Sequence, residues 1–244
     1  MLDLIGSILL IALAVVVVAT LVPAREGHGV TRGRLAVGLG AWFVVAAALA
    51  LAGAFASPAL PVGVALGIAV FVPVLVGGVI VARTQSHGVP LTALVGVHVG
   101  RILGAAFLML YAAGRLPYTF AHSAGWGDIT TGVLAIPVVW AIRHRVTGRR
   151  WITAASRSAM PSTFHAAVAL GVGSAPGSPI RFIFETPGSG AIASFPWALI
   201  PAYFVPLFLL THIGVFAALA ASARRPDAEA RPRPGAPLPQ LPAR

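Results

Sequence analysis

Four side chains in this sequence could do chemistry in surroundings that should carry almost none: His98, Arg101, Arg157 and His212 all fall within long apolar stretches. An ionised group at such depth costs on the order of 3 kcal/mol even on translocon scales, so something must compensate for it. Guanidinium groups without carboxylate partners can hold an anion such as a lipid phosphate, an organic acid or a haem propionate. His98 and His212 lie on different stretches at comparable depth, as two axial ligands of one haem would. The plainer alternative is that both arginines snorkel or bond helix carbonyls, and that both histidines are hydrogen-bonded core residues.

The local pattern around Arg101 is Gly96-Val97-His98-Val99-Gly100-Arg101-Ile102-Leu103-Gly104. At 100° per residue the three glycines cluster on one side of a helix, where a neighbour can approach closely. His98 and Arg101, three apart, project together from an adjacent face. Arg157 and His212 are expected at similar depth, and Pro161 frees the carbonyl of Arg157 by removing the donor four residues on. If the stretches that carry them are neighbours, His98, Arg101, Arg157 and His212 share one polar pocket in the inner half of a bilayer.

The acidic residues are expected away from that pocket. Asp3, Asp128 and Glu185 read as outer and Glu26, Asp227 and Glu229 as inner, which disfavours proton coupling through a buried carboxylate. Asp128, ahead of Ile129-Thr130-Thr131, reads as an N-cap near the outer boundary and is kept as a fifth candidate ligand-binding residue. Arg181 and Glu185 read as a surface pair. No metal-binding or catalytic residue stands out. The chain has no lysine, which excludes a retinal Schiff base and a phosphate-loop lysine, and no cysteine, which excludes disulfides and thiolate metal sites. No sequence motif identifies a reaction, and an enzyme is the less favoured reading.

The elements that must position these residues are written in the composition. With 58% hydrophobic and 9% charged residues in 244, there are too few polar side chains to cover a soluble globule. Seven apolar stretches run from Leu2 to Val22, Leu35 to Ala56, Val62 to Ala82, Leu91 to Ala113, Ile129 to Ile142, Trp151 to Gly173 and Phe195 to Ala221. Most reach the roughly 20 residues a helix needs to cross a hydrocarbon core. The fifth is short, and spans only if its helix begins near Ser123. The first exceeds a signal-peptide core and lacks a basic leader, so it is read as a retained span.

All seventeen basic residues are arginine, and thirteen fall on one side of the seven spans against Arg115 and Arg181 on the other. The expected fold is therefore an all-α polytopic transmembrane bundle of seven spans, with the N-terminus outside and the C-terminus cytoplasmic. Tyr118, Trp126 and Trp197 are expected at the outer interface, and Trp140 and Trp151 at the inner one. Residues 1–222 form the expected membrane domain. Residues 223–244, rich in Pro, Ala and Arg, form an expected disordered cytoplasmic tail. The net charge of +11 flanks spans rather than building a basic domain, so the partners it implies are the bilayer and anionic lipid head groups, not nucleic acid.

Between Arg101 and Phe216 the chain resembles a family of uncharacterised bacterial multi-pass membrane proteins. The likeness is carried by Arg101 with Gly104, Phe107-Leu108, Leu116-Pro117, Phe120-Ala121, Ala124-Gly125, Gly127-Asp128 and Ser174. It closes with Pro196-Trp197, Ile200-Pro201, Val205-Pro206-Leu207 and His212. Relatives tend to have Trp-Asn in place of Ser156-Arg157 and an acid near Thr163, which leaves Arg101, Asp128 and His212 as the stronger candidates. The resemblance implies a seven-span fold in the inner membrane and no substrate. The functional expectation is an inner-membrane protein that binds or moves a small or lipidic solute, anionic ones included. Its rivals are a scaffold or accessory subunit of a larger membrane complex, a homo-oligomer included, and a haem-bearing redox subunit.

Overall fold

The computed structural model describes residues 1–22, 29–57, 61–84, 89–144 and 187–229, and among these the regular structure is entirely helical. Among the described residues, six helices are long and apolar enough to cross a membrane. The sixth expected span, Trp151 to Gly173 with Arg157, and the expected surface pair Arg181 and Glu185 lie outside the described residues.

Helix α1 (Leu2–Leu21) is an uninterrupted apolar run that buries Leu10, Leu13, Val17 and Leu21, spaced three and four apart on one face. Helices α2 (Gly29–Leu51) and α3 (Val62–Thr84) follow, joined by a short tight turn at Ala54–Ala56. Helix α3 buries Leu66 and Val70 while Phe71, Leu75 and Val79 point outward.

The fourth apolar stretch is not one regular helix. It is α4 (Leu91–Gly96), then a tight stretch with three residues per turn over Val97–Gly104, then α5 (Ala105–Ala112). Gly114 closes it with a positive φ of 68°, and the amide of Arg115 reaches back to the carbonyl of Leu110 at 2.8 Å. Only glycine takes that left-handed turn at no steric cost.

Pro117 then caps α6 (Tyr118–Arg143), a helix of 26 residues. The expected fifth span, Ile129 to Ile142, therefore begins eleven residues earlier, because Pro117 fixes a helix-ready φ and the glycines that follow are tolerated within a packed helix. Asp128 is consequently no N-cap; it sits in the middle of α6. Trp126 is likewise eight residues inside the helix rather than at its end.

After a short turn at Gly190–Ala193, the last apolar stretch opens with a wide turn over Ile200–Phe204 and continues as α7 (Val205–Glu229). Pro201 and Pro206 withhold two backbone donors there, and the wide turn is how the helix absorbs the loss. The helix continues past residue 222 to Glu229. Trp197, Tyr203 and Phe204 from this stretch, with Leu110 and Leu116, are among the most deeply buried large side chains.

One contact fixes the sense of several helices. The Asp3 carboxylate accepts from Arg115 Nη1 at 2.6 Å and from the Trp197 indole Nε1 at 2.6 Å. The start of α1, the link between α5 and α6 and the start of the last stretch thus meet at one end of the bundle. Trp197 is buried, with its indole over Gly6, so it is a packed clasp and not an interfacial anchor.

Candidate functional site

The tight winding of Val97–Gly104 decides what this segment presents. At three residues per turn, side chains at i and i+3 eclipse, so His98 and Arg101 lie one above the other and are both buried, each about 4% exposed. The same winding spreads Gly96, Gly100 and Gly104 around the segment, correcting the expectation of a single glycine stripe. A methyl group on Gly100 would strike Leu13 of α1, and one on Gly104 would strike the Asp128 side chain of α6. On α6, Gly132 lies against the backbone nitrogen of Ile102, where a Cβ would come within 2.7 Å. Two helices meet here almost backbone to backbone.

That approach delivers Asp128 to Arg101. Arg101 Nε and Nη2 both donate to Asp128 Oδ1, at 2.8 and 2.5 Å. The expectation that Arg101 has no carboxylate partner is overturned, and with it the objection to a buried acid. Asp128 lies ten residues beyond the start of α6, roughly 15 Å along the axis at 1.5 Å per residue. Misplacing the start of that helix is what hid it.

Helix α7 supplies the other wall, its Gly214 letting Leu94 of α4 pack close. The Arg101 guanidinium stands over the Phe208 ring at 5.8 Å, within cation–π range. The His98 ring lies 5.5 Å from Phe208 and meets His212 edge to face, with centroids 4.1 Å apart. An iron needs about 2 Å to each imidazole nitrogen, and rings in direct contact leave no place for one between them. The bis-histidine arrangement does not fit.

The hydrogen bonds of this cluster assign its protons. The Phe208 carbonyl accepts from Thr211 Oγ1 at 2.9 Å and from His212 Nδ1 at 3.0 Å. With its single proton spent there, the Thr211 hydroxyl accepts from His98 Nε2 at 3.2 Å. His98 Nδ1 therefore carries a lone pair, and this buried atom has no hydrogen-bond partner among the described residues. Tyr203 Oη is the other buried polar atom in that position.

Of the five expected site residues, His98, Arg101, Asp128 and His212 come together, and Arg157 lies outside the described residues. Thr211 and Phe208 were missed. Their signal was spacing: Phe208 stands three and four residues before Thr211 and His212, so its carbonyl meets both side chains on one turn. Among the described residues, no group of three or more His, Asp or Glu is arranged to hold a metal ion.

Fold and site together define an all-helical, largely apolar bundle with an ion pair and two histidines enclosed among helices fit to cross a membrane. The chain belongs to the family described as a domain of unknown function (DUF8737), which matches residues 59–220 and so takes in every described member of the cluster. No curated protein and no solved structure matches it.

Proposed function

We propose that this is a seven-span protein of the bacterial inner membrane, N-terminus outside and C-terminus cytoplasmic, that binds or moves a small solute at the His98–Arg101–Asp128–Thr211–His212 cluster. Parity supports the span count. Asp3, Arg115 and Trp197 share one end of the bundle, while α6 runs from that end to Arg143 at the other. A return crossing between Arg143 and Trp197 would be the seventh span, and Trp151 to Gly173 is the apolar stretch of sequence long enough to supply it. The arginine distribution supports the orientation, since thirteen fall in the sequence segments that the seven-span reading assigns to the Arg143 side.

The observation that carries the functional reading is the lone-pair nitrogen of His98. A buried acceptor left unsatisfied costs about 1–3 kcal/mol, and this one stands on the same face as an ion pair at mid-helix. Arg101 is already neutralised by Asp128, so the cluster favours a neutral or cationic solute that donates a hydrogen bond over a free anion. A carboxylate paired at this depth can also exchange its partner when a solute or proton arrives, which is a common use of intramembrane ionisable groups.

Native mass spectrometry of gently extracted protein, with flux assays in liposomes, tests the reading. A non-lipid adduct or flux that His98→Phe and Thr211→Val both abolish, in protein that still folds, supports it. Wild-type protein with no such adduct and no flux, copurifying instead with a stoichiometric partner, would make it an accessory subunit.

A further inference from the structure

A cavity of about 680 Å³ lies between α1, α4 and α6, and none of its lining residues belongs to the polar cluster. Its volume falls within the range of small-molecule sites, about 300–1,000 Å³. The walls are of two kinds. At the charged rim stand Trp140 and Arg143, from the last turn of α6, and His144 just after it, with Thr92 from the first turn of α4. Farther along the helices the floor is Gly96, Val99 and a half-exposed Ile136, which is apolar and carries no charge.

The separation of those two zones matches one class of ligand. Ile136 is seven residues from Arg143 along α6, so the apolar floor reaches roughly 10 Å from the charged rim at 1.5 Å per residue. A phospholipid presents the same profile, with an anionic phosphate at the interface, ester oxygens just beneath and an acyl chain below. Arg143 supplies the positive charge and His144 a ring donor, while Trp140 and His144 pack at 4.8 Å to form an amphipathic shoulder at headgroup level. Thr20 Oγ1 is committed to the carbonyl of Val16 at 2.7 Å, so it adds an acceptor and no donor. Gly96 is where the cavity gains depth: a Cβ there would lie 3.7 Å from Thr20 and 3.9 Å from Val139, ordinary contact distances, and any longer side chain would enter the cavity.

We propose that this groove between α1, α4 and α6 is a site for one anionic phospholipid, its phosphate on Arg143 and His144 and one acyl chain along Val99 and Ile136. The site depends on membrane insertion and not on what the central cluster binds. It is tested by purifying the full chain from vesicles containing phosphatidylglycerol and phosphatidylcholine in equal amounts and counting retained lipid by native mass spectrometry. Wild-type protein retains one phosphatidylglycerol in preference to phosphatidylcholine. Arg143→Gln lowers that retention about fivefold, the factor expected for one basic residue near a lipid phosphate, and Arg143→Lys restores it. Gly96→Leu, which fills the floor and leaves the rim intact, releases both lipids. Equal retention by wild type and Arg143→Gln overturns the proposal, as does displacement of the lipid by inorganic phosphate, which would mean that the rim reads the anion alone.

Discussion

Breaking the ion pair between Arg101 and Asp128 from one side should cost more than breaking it from both. Arg101 is about 4% exposed and the Asp128 side chain 23%, both on helices long and apolar enough to cross a membrane. Removing one member leaves the other as an uncompensated buried charge, a loss of about 3–5 kcal/mol. For a chain of this size 1 kcal/mol shifts the melting temperature by roughly 2–4 °C, so Arg101→Gln or Asp128→Asn alone should lower the apparent Tm in detergent by roughly 6–20 °C. The double variant removes both charges at once and so leaves neither an uncompensated buried guanidinium nor an uncompensated carboxylate. It should therefore be more stable than the sum of the single losses by about 2 kcal/mol or more. The assay is a thermal unfolding series on four proteins closed into a double-mutant cycle. Additivity to within about 0.5 kcal/mol, the figure for independent sites, would refute the pairing and return Asp128 to an interfacial role.

Gly132→Ala should destabilise by about 1–3 kcal/mol as an overpacking change, because its Cβ would meet the Ile102 backbone nitrogen at 2.7 Å where no rotamer can yield; unchanged thermal stability would contradict the close crossing. Thr211→Val should leave the His98 Nε2 proton without its acceptor and cost about 1–3 kcal/mol, whereas Thr211→Ser should recover most of it, both read by thermal unfolding. Trp197→Phe keeps the buried ring and deletes the indole donor to Asp3, and should cost about 1 kcal/mol; an Asp3→Asn background should shrink that loss if the contact is the cause. The absence of cysteine makes topology simple to read: an impermeant maleimide should label Tyr118→Cys on intact cells and His144→Cys only after permeabilisation, and the reverse pattern would invert the proposed threading.

Much of the architecture was legible because long apolar helices leave a blunt signal. Apolar runs such as Leu2 to Val22 and Val62 to Ala82 became α1 and α3 within a residue or two. Their lengths match what a helix needs to cross a hydrocarbon core, and their sequence has little else to satisfy. The fifth span was misjudged for the opposite reason. Gly125, Trp126, Gly127 and Asp128 look like a loop to any reading that weighs residues singly, and only packing against a neighbouring helix makes a glycine-rich, charged turn a sound helix interior. Pro117 was the local sign that the helix begins earlier, and Asp128 followed from it. The winding of Val97–Gly104 had no comparable sign. It turned the expected glycine stripe into a collar while keeping His98 and Arg101 on one face, since residues three apart align in either geometry.

That collar explains why the charged pair can exist at all. Aspartate is the shortest acidic side chain, and it reaches a guanidinium on another helix only where the two backbones nearly touch. Gly104 stands directly against the Asp128 side chain, and Gly125 and Gly132 clear the turns on either side of it. A glutamate could span a wider gap but would bring an extra torsion, and with it freedom to break away. The short acid held by small residues gives a pair with one geometry, locked in the interior next to a histidine that still has an acceptor to offer. Asp128→Glu is for that reason more informative than deleting the charge. It preserves the ion pair electrostatically and forces the helices apart by a methylene, so stability should fall by about 1–3 kcal/mol while the charge balance holds. An Asp128→Glu variant that matches the wild type in both stability and flux would show that the glycines do not confine the acid and that the tight pair has no part in function.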